Sequence, residues 1–332
     1  MKKMKTSLLG LIVLLAACTK TDLKVSEAEV EATTEVASQR QCASAEVLDR
    51  QLAEDPRRAA FLEELEIKTR DFQGRGNDLS RTAGMLYVPV VVHVVTSANV
   101  TDAQIQSQIN VLNEDFTKSN AELSNSSIYL AGYNYANVAN CQINFVVTQV
   151  IRKSTTATFG TNDAVKKTSM GGSDPVNPTT HLNFWVADLS SGLLGYAQFP
   201  GGSASTDGVV VDYQAFGTSA TYPMYAQFNK GRTATHEVGH WVNLRHIWGD
   251  ARCGNDQVAD TPAHDGSNGG CPATSHRSRC TGKPLEQWMN YMDYTDDACM
   301  YMFSAGQKTR IDATIDVARK NYFLATAPAS VL

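Results

Sequence analysis

No part of the chain concentrates lysine and arginine: 29 basic residues face 34 acidic ones over 332 positions, giving a formal charge of −5. A polynucleotide partner needs a basic patch that neutralises phosphates, so nucleic-acid binding is excluded as the expected function. Long apolar runs are scarce as well. The run over residues 8–17 is too short to cross a bilayer comfortably as a permanent helix. Seven cysteines are present, yet none stands at the close CxxC spacing typical of structural zinc clusters. What remains is a chain with 42% hydrophobic residues, enough for a main domain of roughly 240 residues and a smaller unit beside it.

The N-terminus reads as a targeting segment. Lys2, Lys3 and Lys5 precede the apolar run, which ends in Leu15-Ala16-Ala17-Cys18. This pattern predicts export. The tetrapeptide resembles a bacterial lipobox, which implies lipidation of Cys18 and a cell-surface or outer-membrane lipoprotein; cleavage after Ala17 is the competing reading. Residues 19–40 are rich in Glu, Thr, Ser and Ala and predict a flexible tether, with Glu27, Glu29, Glu31 and Glu35 as a solvated run. Helical character begins after Cys42 and strengthens at Asp55-Pro56, an N-cap and first-turn pair, with Phe61, Leu62, Leu65 and Phe72 as the apolar stripe. Residues 73–84 contain three glycines and little periodicity, and predict an exposed, cleavable linker. Residues 41–86 together therefore have the organisation of a propeptide and a cleavable linker, ahead of a main domain over 87–332.

That domain opens on Tyr87-Val88-Pro89-Val90-Val91-Val92-His93-Val94-Val95, nearly continuous in β-branched residues as a strand buried on both faces should be. His93 within it is expected to be a satisfied core histidine. Thr101-Asp102 opens a helix with Ile105, Ile109, Leu112 and Phe116 on one face. Further strands are expected over 142–151, 182–187 and 208–212.

His236-Glu237-Val238-Gly239-His240 places two imidazoles one helical turn apart with a carboxylate beside them, the arrangement of a hydrolytic zinc site. His246 lies six positions beyond His240, so the chain must leave the helix near Asn243 to bring a third imidazole back. Asparagine is among the few residues other than glycine that tolerate the left-handed conformation such a turn needs. Three neutral imidazoles keep an open position for water, lower its pKa and polarise a carbonyl, and Glu237 would be the general base.

The run HEVGHWVNLRHIWGD, followed by Asn290-Tyr291-Met292-Asp293-Tyr294, resembles the metzincin metalloproteases, specifically the pappalysin family and its bacterial, cytophagalysin-like branch. The resemblance extends from about Tyr87 to the C-terminus. It implies an α+β fold with a mixed upper sheet, an active-site helix, a Met-turn at Met292 beneath the histidines, and a loop-rich lower subdomain. It further implies that Tyr294 donates to the developing oxyanion and that the enzyme is a latent, exported zinc endopeptidase acting on protein or peptide substrates. The segment 193–200 would form the upper rim of the cleft, where an extended peptide pairs with a strand edge, or a plain edge strand and turn.

By the same resemblance, Cys42 would act as a cysteine switch, a thiolate in the fourth coordination position. Cysteine parity without Cys18 equally permits a Cys42–Cys141 disulfide. The family pattern pairs Cys253 with Cys280 and Cys271 with Cys299. It also suggests a calcium site with Asp256 and Thr261 through side chains and Asn255 and Ala259 through carbonyls, in a loop without the regular EF-hand spacing. His264 and His276 are expected at the surface. Ser304 and Gln307 have the spacing of a capping box opening a closing helix with Ile311, Ile315 and Ala318 on its inner face. Two other readings stand beside this one: a gluzincin-type enzyme with a later glutamate as third ligand, and a non-enzymatic surface-anchored binding protein that retains the fold.

Overall fold

The computed structural model describes residues 39–74, 84–124 and 132–332. The targeting segment with Cys18, most of the tether and residues 75–83 of the linker lie outside the described residues. Two helices come first, α1 (Ser44–Glu54) and α2 (Arg57–Gly74). They break at Asp55, whose carboxylate accepts the Arg57 N–H, so the expected N-cap acts on a second helix. Two boundaries move. Residues 73 and 74, expected in the linker, finish α2. Arg40, expected at the end of the tether, is 2% exposed and held by long-range partners.

The strands are β1 (Leu86–Val95), β2 (Ile143–Lys153), β3 (Thr158–Phe159), β4 (Leu182–Leu189), β5 (Gly195–Ala197) and β6 (Val209–Asp212). They form a mainly parallel sheet in the order β2-β1-β4-β6-β5, with β3 paired to the end of β4 and β5 antiparallel at the edge. β1 lies between two parallel neighbours, which is why its sequence is apolar at successive positions rather than at alternate ones. Val88, Val90, Val92 and Val94 enter the main core together with Phe184 and Val186 of β4. Trp185 and Ala187 face the opposite layer with Tyr196 and Val210, and Val47 of α1 joins them there. His93 is the core histidine expected: Nδ1 is 2.8 Å from Ser173 Oγ and Nε2 is 2.9 Å from Asn183 Oδ1.

On the main-core side lie α3 (Asp102–Phe116) and α4 (Arg232–Trp241). Thr101 caps α3 by accepting the Gln104 N–H, and Ile105, Ile109, Leu112 and Phe116 are buried along one stripe. The chain ends in α5 (Ala305–Thr314), opened by the reciprocal Ser304–Gln307 capping box and extended by a π-helical turn over Ile315–Arg319. α2 packs on α5, so the N-terminal helices and the C-terminal helix of the described chain meet.

Candidate metal centre and active site

α4 is buried along its whole length. Its first turn is fixed by Asp297, whose Oδ2 accepts the N–H of Lys230 (2.8 Å) and of Arg232 (3.2 Å), a negative charge at the positive end of the helix. At the other end Asn243 adopts φ 73°, the left-handed conformation expected of it. The Asn243 N–H donates to the His240 carbonyl and the Leu244 N–H to the Gly239 carbonyl, both at 2.9 Å, which closes the helix in a Schellman-type turn. The chain reverses there, and His246 comes back towards the rings it follows.

His240 Nε2 is 3.1 Å from Nε2 of both His236 and His246. Each Nδ1 is engaged on the outer side: with the Tyr291 carbonyl for His236 (2.7 Å), the Leu244 carbonyl for His240 (2.8 Å) and the Asp250 carboxylate for His246. Carbonyls only accept, so Nδ1 carries the proton in His236 and His240 and the neutral rings turn lone pairs inward. Burial and the neighbouring imidazoles hold His236 well below the ordinary histidine range and His240 down to about 3, which keeps both neutral. Lone pairs this close repel unless a cation lies among them. Neutral imidazoles oriented by outer acceptors are the donor set that suits zinc. Cys42 Sγ joins the three rings, all four ligand atoms lying within 4.8 Å of one another.

The Met-turn supports this arrangement from below. Met292 is fully buried and packs against Gly239, where a Cβ would overlap its sulfur. The Tyr291 hydroxyl donates to Asp115 Oδ1 and the Thr235 hydroxyl to Asp115 Oδ2, both at 2.7 Å, so one carboxylate ties α3, α4 and the Met-turn together. Trp248 stacks on His246 with centroids 4.4 Å apart and planes 8° from parallel. Tyr294 lies against the rings of His246 and Trp248, and its hydroxyl donates to the Cys42 carbonyl at 3.1 Å.

Glu237 is 1% exposed beside the edge strand β5. A Cβ at Gly195 would come within 2.9 Å of its Cγ, so glycine lets the rim approach the carboxylate this closely. Burial pushes the Glu237 carboxyl up to about 7, against hydrogen bonds from Ser44 and Cys42. The segment 193–200 is indeed an edge strand and turn, and its edge is paired with the N-terminal segment: Leu194 N–H donates to the Gln41 carbonyl (2.9 Å) and Ala43 N–H to the Gly195 carbonyl (3.1 Å). Cys42 runs parallel to Gly195 in this pairing.

Three residues at this site escape a reading of the sequence. The Ser44 hydroxyl donates to Glu237 Oε2 (2.8 Å) while its oxygen accepts the Ala197 N–H (2.8 Å). Arg40 reaches a buried pocket where Nη2 pairs with Asp297 Oδ1 (2.6 Å), Nη1 donates to Thr233 Oγ1 (2.9 Å) and the guanidinium lies 5.0 Å over the Phe228 ring. Asp250, the partner of His246, is the third. Only the nearness of Arg40 and Ser44 to Cys42 along the chain hints at the first two.

In the lower loops the structure joins Cys253 to Cys280 and Cys271 to Cys299, each with Cα atoms 5.7 Å apart. Cys42 takes part in no disulfide, so the Cys42–Cys141 bridge is not formed. Asp256 accepts the Thr261 hydroxyl at 2.8 Å and the Val258 N–H at 3.1 Å, and the Asn255 side chain accepts the Gln257 N–H. Ala259 belongs to the same turn. Among the described residues no other His, Cys, Asp or Glu side chains form a three-membered ligand cluster with Asp256. His264 corrects an expectation: it is fully buried, with Nε2 accepting the Gln287 N–H (3.1 Å) and Nδ1 3.5 Å from Asp293 Oδ2, whereas His276 is partly exposed. Its acidic neighbours come from distant positions, and they make burial of this ring tolerable.

Comparison with known proteins places this geometry. The Peptidase_M43 family model, described as pregnancy-associated plasma protein-A, matches residues 168–316. An extracellular metalloprotease of Arthroderma benhamiae is 33% identical over 240 residues, covering 69% of this chain and 77% of that protein. One from Pyricularia oryzae is 34% identical over 248 residues, covering 71% and 77%. Mature mirolysin of Tannerella forsythia in complex with a cleaved peptide superposes with a TM-score of 0.63 at 42% identity, covering 69% of this chain and 91% of that one. A promirolysin mutant from the same organism superposes at 0.73 with 37% identity, covering 85% and 96%. The chain belongs to the pappalysin family of metzincins and is a metalloendopeptidase.

Proposed function

We propose that the chain is an exported zinc endopeptidase made as a latent precursor, with residues 39–74 as the described part of its profragment. The convergence of three inward-facing imidazole nitrogens next to a buried Glu237 is the observation that carries this reading. His236, His240 and His246 would hold zinc, which supplies an open coordination position that acidifies water and polarises a peptide carbonyl. Glu237 would accept the water's proton and return it to the leaving amine. Tyr294, whose hydroxyl already reaches a backbone carbonyl at Cys42, would donate to the carbonyl oxygen of a substrate as negative charge builds on it.

Latency would rest on the N-terminal segment occupying each of these functions. Cys42 stands with the imidazoles, Ser44 engages the base and Gln41–Ala43 pair with the rim strand where an extended peptide would bind. In support, the share of this chain matched rises from 69% for mature mirolysin to 85% for its proform. The relatives' description as extracellular supports export. Anchorage through a lipidated Cys18 rests on the sequence of the targeting segment.

The pocket filled by Arg40 has the shape and charge for an arginine side chain of a substrate, since Asp297 stays at its floor when the profragment leaves. Matched peptides carrying arginine or alanine next to a single scissile bond test this with the processed chain. Arginine is expected to raise kcat/KM by about 100-fold, in line with a buried charge-assisted hydrogen bond, and equal cleavage of both peptides argues against the assignment.

Calcium at Asp256 and Thr261, with the Asn255 and Ala259 carbonyls, is a further part of the proposal. Burial pushes the Asp256 carboxyl up to about 6, a cost that a bound cation would offset. Titrating calcium into the zinc-replete protein should raise Tm, because a ligand of the native state stabilises it. A flat Tm across the titration would count against the site.

A further inference from the structure

Glu66 of α2 reaches across to the last helix. Its Oε2 accepts Arg310 Nη1 at 2.8 Å, its Oε1 pairs with Arg310 Nη2, and Arg245 Nη2 approaches to 3.7 Å. Arg310 itself is anchored from behind, since Nε donates to the Asn243 carbonyl at 2.6 Å, the residue that ends the zinc helix. The guanidinium is thus fixed by the catalytic domain, and its two-pronged face is turned towards the profragment. Its side chain is 1% exposed, and that of Arg245 41%.

A cavity of about 300 Å³ adjoins this contact, with Glu66, Asn243 and Arg245 in its lining. Phe199, Asn243, Arg245 and Asp250 form its wall on the catalytic side, and Leu48 and Glu66 are among the profragment residues that close it. Phe199 lies with its ring 5.2 Å from that of His240, and Asp250 holds His246, so two residues of the cavity wall touch two of the three histidines. The segment Arg40–Ser44 crosses the site in extended pairing with β5. Arg40 and α1 therefore leave the metal centre on opposite sides, and the cavity is on the side of α1.

We propose that Arg245 and Arg310 form a carboxylate subsite for peptide substrates, which the latent chain fills with its own Glu66. This rests on the protease reading above. When α2 leaves, the arginine fork loses its acid. A fork already oriented by Asn243 binds a carboxylate with little further loss of side-chain freedom. A substrate acid on the far side of the scissile bond from the Arg40 pocket would restore the pair. Hydrogen bonds from Arg310 keep Glu66 below the ordinary glutamate range against the opposing effect of its burial, which fits a carboxylate received as an anion.

The test uses the full chain after it has matured. Peptides with arginine fixed at the Arg40 pocket position carry glutamate or glutamine at each of the positions on the other side of the cut bond, and kcat/KM is measured for each pair. At one position glutamate should win by about tenfold, mainly through KM, as expected for one charge-assisted bidentate contact. The ratio should fall towards one in Arg245→Gln, a half-exposed position that tolerates replacement, and in Arg310→Lys, which cannot bond Asn243 and a carboxylate together. Absence of any glutamate preference, or a preference that survives in both variants, overturns the subsite. A matured chain that cuts no peptide overturns the protease reading and the subsite with it.

Discussion

Replacing Glu237 with alanine should lower peptide hydrolysis by about 100-fold or more, the usual contribution of one acid/base group, while zinc content stays at the wild-type level. The separation of the two readouts follows from the geometry. Glu237 belongs to the same helical turn as His236 but faces the rim strand, and its side chain bonds to Ser44 and Cys42 rather than to the imidazoles. The three rings are oriented by Tyr291, Leu244 and Asp250, none of which the substitution touches. A glutamine at the same position would keep the shape and still lack the base. Metal analysis alongside kinetics on one peptide checks the claim, and near-normal turnover in either variant would contradict the assigned role.

Cys42→Ala should give a full-length protein that processes itself sooner, with cleavage after Arg75 or Arg81 in the linker, residues that lie outside the described structure. The expected gain is limited, because other attachments survive, two of them at the site itself. Ser44 still holds Glu237, and Arg40 keeps its buried ion pair with Asp297. A hydrogen bond to a charged group contributes about 1.5–3 kcal/mol, so adding Ser44→Ala should open the site a further ~10-fold or more. Following the new N-terminus over time in the single and double variants measures both steps. If Cys42 instead formed a disulfide in the latent protein, its loss would lower stability without early processing and expose a thiol at Cys141. Equal processing rates in wild type, Cys42→Ala and the double variant would rule out the switch.

Much of the catalytic apparatus was legible because it is local. His236 and His240 are one turn apart, Asn243 marks where the helix must end, and the Ser304–Gln307 box opens the final helix within four residues. β1 announced its two-sided burial through unbroken β-branched sequence. Apart from Asp250, four positions after His246, the missed features are long-range. Arg40 finds Asp297 across 257 positions, Ser44 finds Glu237 across 193, and Glu66 finds Arg310 across 244. Nothing in a short window distinguishes such residues from the polar surface around them. His264 was misplaced for the same reason, since the carboxylates of Glu286 and Asp293 that surround it are brought together by the fold. The boundary at Arg40 shifted because a composition rich in small polar residues hides a single arginine that is anchored by one buried carboxylate.

The most direct measurement is hydrolysis of a defined peptide by the processed chain before and after zinc is chelated, with metal content determined in the same samples. The account predicts about one zinc ion per chain in the active protein, loss of cleavage as that ion is removed, and recovery when zinc is returned. Undiminished cleavage by the zinc-free protein would contradict it.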